Sequence, residues 1–413
     1  MAVMNSQADT VLACEEFGGA RQTLRIAIVT ETYPPEVNGV AMTVGRTIEA
    51  LLRRGHGVQL IRPSQHAGDN AAPRRGLEEW LCRGLAIPRY DALRLGLPAR
   101  RSLIRQWSVR RPDIVHLVTE GPLGWSALAA ARRLRLPVAS DFHTNFHRYT
   151  GHYGIGWLKL PIAAYLRRFH NRGDATLVPT AELARELGKQ GYRNLRVVAR
   201  GVDTRLFSPA RRSAELRRSW GLEDNDLAVL YVGRLAAEKN LPLLTAAFAA
   251  IKAREPRARL VLVGDGPLRK RLDGNDCVLC GTRGGEDLAT HYASGDLFLF
   301  PSLTETYGNV TAEALASGLA VVAYDYAAAR VLIDDGHNGL LVACDDAAAF
   351  AAAALRAASD PILRAALRFR AREGVAQLDW DAITGDFVAA LAAVVRSHEH
   401  KARDGLAFVA VPD

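Results

Sequence analysis

"LRIAIVTETYPPEVNGVAMTVGRTIEALLRRG", residues 24 to 55, changes its hydrophobic period halfway along. Leu24 to Val29 is a short, nearly continuous apolar run, the pattern of a strand buried on both faces of a parallel sheet. A loop with Pro34, Pro35 and Gly39 follows, and from Thr43 onward the apolar residues return at helical spacing. Gly39 opens that helix, whose first N–H groups have no helical partner and so form an anion-ready terminus.

The same unit recurs downstream. "GVQLIRP", "DIVHLVT", "LPVASDFHT", "ATLVPT" and "LRVVARG" read as strands, with "GWSALAAARRLR" and "GWLKLPIAAYLRRFHNRG" at helical period between them. After the Pro- and charge-containing linker "RGVDTRLFSPARRS", a second set begins with "LAVLYVGR", "ARLVLVGDG", "CVLCG", "DLFLFPS", "AVVAYD" and "GLLVAC". The expected architecture is α/β, with two Rossmann-like, doubly wound parallel-sheet domains facing across a cleft, where ligands bind beyond the strand carboxyl ends. The expected boundaries are a mobile extension at 1–23, an N-terminal domain at 24–200, a C-terminal domain at 201–380, and a helix and tail at 381–413 that return to the N-terminal domain.

Composition narrows the class. At roughly 100 to 200 residues per domain, 413 residues suit two domains. The longest apolar runs, such as Ala347 to Leu355, fall short of the roughly 18 residues that span a bilayer. Asp9, Glu15 and Glu16 precede or surround any apolar start, unlike a secretory signal. Five scattered cysteines suggest reduced thiols in a cytoplasmic protein. Cys277 and Cys280 lack a second Cys or His pair at zinc-ligand spacing and read as buried strand residues. The net charge of +9 is uneven: Lys and Arg exceed Asp and Glu by 15 over residues 24–200 and fall four short after them. The first half therefore suits an anionic partner, and peripheral docking on the inner face of the plasma membrane is one form of it. Arg100, Arg101, Arg105, Arg110 and Arg111, and the segment "WLKLPIAAYLRRFHNR", carry that basic character.

Chemistry-bearing residues gather at strand ends. "YVGRLAAEKN" places Arg234 and Lys239 where a strand meets a helix, a planar fork and a mobile point charge suited to a diphosphate, with Glu238 as the alternative partner. "TETYGNVTAEALASG", residues 304 to 318, sets Glu305 in a strand-to-helix loop and Glu313 inside the following helix. Gly308 lets the backbone approach a ligand, and the N–H groups of Asn309 and Val310 form an anion site. With Asn309 as cap, the capping-box position is Ala312, so Glu313 is not a capping residue. Carboxylates flanking an anion site are placed to accept hydrogen bonds from hydroxyls. His143 ends the strand of "SDFHTNFHRY", and Gly264 lies in "VGDGP", a tight turn near where a base could rest. There is no GxxxxGK[ST] loop. The Asp224–Asp226 and Asp379–Asp381 triplets fall outside strand ends in the cleft, so no metal is expected.

The "NGV" loop, His143, "GR-x4-K" at Arg234 and Lys239, and E-x7-E at Glu305 and Glu313 occur in an order that resembles the retaining glycosyltransferases of family 4, of GT-B fold, over nearly the whole chain. "RGVDTRLF" and "FHTNFHRY" resemble most the branch of GDP-mannose-dependent mannosyltransferases and sulfoquinovosyl or glucosyl lipid transferases. The resemblance implies transfer of a hexose from a GDP- or UDP-linked donor to a lipid or glycan acceptor. No further cofactor, metal or nucleic-acid partner is implied. It places Arg234 and Lys239 on the diphosphate with the N–H groups of Gly39, Asn309 and Val310. Glu313 would hold the ribose, Glu305 the hexose, and His143 the sugar's 6-position or the developing charge. A nucleotide-sugar 2-epimerase of the same architecture and a non-catalytic anionic-surface binding protein are the competing readings.

Overall fold

The computed structural model describes residues 23–36, 38–66, 68–71, 74–87, 90–143, 159–272 and 277–407; the expected extension at 1–23 lies, up to residue 22, outside them. The first half runs β1 (Arg25–Val29), α1 (Gly39–Arg53), β2 (Gly57–Pro63), β3 (Leu77–Cys82), β4 (Gly84–Ile87), β5 (Tyr90–Gly96), α2 (Arg100–Val109), β6 (Ile114–Leu117), α3 (Pro122–Arg133), β7 (Val138–Asp141), α4 (Lys159–His170), β8 (Ala175–Val178), α5 (Ala181–Lys189) and β9 (Leu195–Val197). The second runs α6 (Ala214–Ser219), β10 (Ala228–Val232), α7 (Leu241–Arg254), β11 (Arg259–Val263), β12 (Cys277–Gly281), α8 (Gly285–Ser294), β13 (Leu297–Phe300), α9 (Asn309–Ala316), β14 (Ala320–Tyr324), α10 (Ala327–Leu332), β15 (Leu340–Val342), α11 (Ala347–Ser359), α12 (Pro361–Arg370) and α13 (Trp380–Ala407).

The first sheet has strand order β3-β2-β1-β6-β7-β8-β9 and the second β12-β11-β10-β13-β14-β15, and the paired strands in both are parallel. In each sheet the strand order reverses beside the first strand, β1 or β10, which is where doubly wound folds open a ligand crevice. The continuous apolar runs explain the parallel pairing. Ile26 to Val29 and Val229 to Tyr231 are at most 1% exposed, because helices cover both faces. One face of the first sheet buries Val44, Ile48 and Leu51 of α1, and the other buries Leu103, Trp107, Leu123 and Phe169.

Three strands were not legible in the sequence. β3, "LEEWLC", is a half-buried edge strand whose Glu78 and Glu79 break the apolar signal, and Glu79 pairs with Arg62 of β2 at 2.6 Å. The β4–β5 hairpin was likewise missed. β12 is also an edge strand, so Cys277 and Cys280 are half-buried rather than buried.

The chain passes between the halves twice. The linker near Gly201 makes the first crossing and Leu378–Trp380 the second, and Val202 N–H donates to the Leu378 carbonyl at 2.9 Å. Beyond that, α13 lies on α1 and buries Phe387, Leu391 and Val394 in the core of the first domain.

Candidate active site in the interdomain cleft

Gly233 follows the end of β10 and leads directly into Arg234. Tyr231 hydroxyl donates to the Arg234 carbonyl at 3.0 Å, which pins the loop from below. The Arg234 guanidinium bonds Glu238, which is fully buried, while Arg234 itself is 45% exposed in its side chain. Lys239 reaches across to Glu305, the strand-end carboxylate of the neighbouring β13, and their ammonium and carboxylate form an ion pair. Ser302 hydroxyl donates to the same Glu305 oxygen at 2.7 Å. The two cations and Glu305 are thus gathered at the reversal point of the second sheet.

Gly308 is the N-cap of α9, at φ 91°, a left-handed conformation that favours glycine. Asn309 is the first helical residue rather than the cap, which moves the capping-box position to Thr311 and still leaves Glu313 outside it. Glu313 accepts from the Tyr292 hydroxyl at 2.9 Å. Burial raises its carboxyl above the usual range, opposed by the Tyr292 hydrogen bond and by Arg46 of α1. That last influence crosses the cleft. A Cβ on Gly39 would lie 3.8 Å from Asn309 Nδ2, so the N-termini of α1 and α9 face one another from opposite domains. Asn38 caps α1 by accepting from Ala41 N–H at 2.8 Å, and this leaves the first turn's remaining N–H groups directed to the cleft.

The family model for Glycosyltransferase Family 4 matches residues 37–206, and that for Glycosyl transferases group 1 matches residues 226–360. Over 323 residues the chain is 38% identical to a GDP-mannose-dependent alpha-mannosyltransferase of Mycobacterium tuberculosis (strain CDC 1551 / Oshkosh), covering 77% of this chain and 84% of that one. It is 30% identical to an alpha-monoglucosyldiacylglycerol synthase of Streptococcus pneumoniae (strain ATCC BAA-255 / R6), covering 77% and 75%. In structure it is similar to sucrose-phosphate synthase from Thermosynechococcus elongatus, with TM-score 0.73 and 20% identity over 91% of this chain and all of that one. The chain belongs to glycosyltransferase family 4.

In this family 4 glycosyltransferase two of the expected residues also have close partners within the protein. Gly264, at φ 138°, packs backbone to backbone: a Cβ there would fall 2.0 Å from the Gly233 carbonyl oxygen. It supports the Arg234 loop. His143 is buried, and both ring nitrogens already face protein groups, Nδ1 with Arg200 Nη2 at 2.6 Å and Nε2 with Asp141 Oδ2 at 3.0 Å. Burial, then the Arg200 charge, push the imidazole below its ordinary pKa.

Arg200, Asp141 and Arg46 were not singled out from the sequence. Arg200 ends the strand-like "LRVVAR" and looks like one more surface arginine, yet its carbonyl accepts from the Tyr307 hydroxyl at 3.4 Å. Arg46 sits on a helix face with no local mark of function. It lies 3.8 Å from Asp203 and over the Phe207 ring at 5.9 Å. The Asp226 carboxylate is taken by Arg257 at 2.8 Å, and Asp379 accepts from Asp381 N–H at 2.8 Å, both local structural uses.

Proposed function

We propose that the enzyme moves a hexose, mannose first among the candidates, from a nucleoside-diphosphate sugar to a lipid or glycan acceptor with retention at the anomeric carbon. The observation that carries this reading is the placing of Arg234 and Lys239 at the reversal point of the second sheet, with Lys239 paired to Glu305, whose side chain lies beside Gly308 at the α9 N-terminus that faces α1. A departing diphosphate gains charge as its bond to the sugar breaks, and preorganised cations and N–H dipoles stabilise that charge by roughly 3 to 4 kcal/mol per well-placed donor. In this scheme Lys239 exchanges Glu305 for phosphate oxygens, which frees Glu305 for the hexose hydroxyls, while Glu313 holds the ribose. His143 faces the hexose, the leaving phosphate oxygen takes the acceptor's proton, and no metal ion is called on. GDP-mannose is the donor of choice because the mannosyltransferase relative is named for it.

A lipid acceptor is supported by the name of the glucosyldiacylglycerol synthase and by the basic first half. α4 divides its apolar residues: Leu166 and Phe169 are at most 2% exposed, whereas Leu160 is 80% and Tyr165 44% exposed on the same helix as the exposed Arg167 and Arg168; Trp157 lies outside the described residues. α2 buries Leu103 and Trp107 and leaves Arg100, Arg101 and Arg105 in solvent, able to meet anionic headgroups. Among the described residues no helix is long and apolar enough to cross a membrane.

A thermal-shift panel of GDP, UDP and ADP and their sugars tests the donor, since ligand at 100 times its dissociation constant stabilises by roughly 2.7 kcal/mol. GDP and GDP-mannose are expected to give the largest shifts. A larger shift with UDP would overturn the base assignment, and isomerised sugar nucleotide without acceptor would overturn transfer in favour of epimerisation. Sedimentation with anionic vesicles, lost at high salt and in an Arg100→Glu, Arg101→Glu, Arg105→Glu variant, checks the membrane partner.

A further inference from the structure

The groups around His143 form a cluster that the transfer scheme leaves without a role. A guanidinium has donors and no acceptor, so with Arg200 Nη2 at 2.6 Å, His143 Nδ1 must hold its lone pair. The ring proton is then on Nε2, which lies 3.0 Å from Asp141 Oδ2 as a charge contact but outside hydrogen-bond geometry. The same Asp141 oxygen lies 3.4 Å from Nε2 of His116. Burial works to raise the Asp141 carboxyl, and the two histidines outweigh it and hold it below the usual range. The His116 ring in turn stands edge-on to Phe387 of α13, centroids 5.0 Å apart. These residues enclose a cavity of ≈ 50 Å³ together with Trp380 and Thr384.

Both chain crossings meet this cluster. Arg200 directly precedes Gly201, whose Cβ would come within 2.8 Å of the Trp380 ring on the second crossing. The linker and the returning helix therefore pack on each other where Arg200 leaves for His143.

We infer that Arg200 is a positioning residue that clamps the His143 imidazole through Nδ1 as the Nε2–H tautomer, held from the interdomain linker, with the Asp141 carboxylate of β7 as the charge beside Nε2. The inference rests on the reading of His143 as facing the hexose, but the tautomer itself is observable without turnover. The clamp has a consequence for proton uptake. While Arg200 occupies Nδ1 the ring cannot take a second proton, and a linker displaced during domain movement would release that constraint. The charged and titratable groups facing the ring are Arg200 from the linker, Asp141 from β7, His116 from β6 and Glu120 just beyond it. α1 and α13 present Thr43, Trp380, Thr384 and Phe387 to the same cavity, none of which titrates near neutral pH.

Histidine-selective nitrogen NMR of the full chain, with His143→Ala for assignment, reads the clamp directly. The wild type is expected to show an unprotonated Nδ1 and a protonated Nε2 that do not titrate between about pH 5 and 8. Arg200→Ala should let His143 titrate within that window, and Arg200→Lys, which restores a donor and a charge, should suppress the titration again. In transfer assays Arg200→Ala should lower kcat by about 10- to 100-fold, the range for losing a histidine's outer hydrogen-bond partner, and more steeply at acidic pH. Donor KM should move by less than about threefold, as for a group that acts on the reacting geometry rather than on binding. A protonated Nδ1 in the wild type, or unchanged His143 signals in both Arg200 variants, would overturn the clamp. Full activity in His143→Ala would instead sink the sugar-site reading and leave the spectroscopic result to decide the clamp by itself.

Discussion

Lys239 and Glu305 show how a site residue can be poised by its own neighbour. An ion pair that is mostly shielded from water holds both side chains in one geometry, and a diphosphate competes for the lysine with more charge than a single carboxylate offers. Lys239→Ala and Arg234→Ala are each expected to lower kcat/KM by about a hundredfold or more, the cost of one well-placed electrostatic donor. Near wild-type transfer in both would remove the diphosphate assignment; steady-state kinetics with saturating acceptor decides it. Glu31, just beyond the end of β1, offers a stability test that needs no turnover. Burial lifts its carboxyl from 4.5 to about 7, opposed by the Leu123 N–H, which donates to it at 2.9 Å. Between those values the native state keeps a proton that the unfolded chain releases, so stability falls as pH rises through the window and the loss is complete above about pH 7. Glu31→Gln removes that loss and keeps an acceptor. It should stabilise the fold by up to about 3 kcal/mol at pH 8 and by nothing measurable near pH 4, as read in denaturant melts at both values.

At the scale of elements, the second domain's working parts are loops held by glycine contacts. The turn after β11 lies on the turn after β10, with Gly264 against Gly233 and Gly266 against Leu235, where added Cβ atoms would meet carbonyl oxygens at 2.0 and 2.4 Å. Backbone cannot yield as a flexible side chain does, so Gly264→Ala must displace the Arg234 loop. It is expected to cost about 1 to 3 kcal/mol of stability and to weaken nucleotide binding at the same time. Gly284, at φ −151° with open space around it, is the control: Gly284→Ala should stay within about 0.5 kcal/mol and leave nucleotide affinity unchanged. Calorimetric titration of both variants with the nucleotide would separate a shifted loop from a general loss of stability. α4 carries the complementary lesson. Every helix on a doubly wound sheet needs an apolar stripe to cover that sheet, and Leu166 and Phe169 supply it here, while Leu160 and Tyr165 stay exposed on the same helix.

For the whole molecule, the return of α13 makes the first domain depend on residues nearly 400 positions into the chain. Leu391 is fully buried against the core that β1 and α1 build. Leu391→Ala is expected to cost about 2 to 5 kcal/mol, the range for a buried leucine truncated to alanine, and to expose the first domain to proteolysis before the second. Cleavage confined to the second domain would contradict the shared core. The domains also meet through Arg330, which bonds Glu182 of the first domain and Asp325 of the second. Being near half exposed, that pair contributes little to stability.

What could be read without the structure was local. The switch from continuous apolar strands to helical spacing between Leu24 and Gly55, repeated through both halves, set the two parallel sheets, because periodicity is expressed within a dozen residues. Strand ends then located Arg234, Lys239, Glu305 and Glu313, because chain order alone carries residues from a strand to its carboxyl edge. What only the tertiary structure decided were contacts between distant residues. Lys239 and Glu305 are 66 positions apart and Arg200 and His143 57, and nothing local in either segment names its partner. Whether α4's stripe faced core or solvent depended in the same way on which sheet face lay beneath it. The facing of Gly39 and Asn309 depended on how two separately wound domains close on each other. Those relations are fixed by packing across the fold, where the free energy of burial acts between surfaces that the chain brings together only once both sheets have formed.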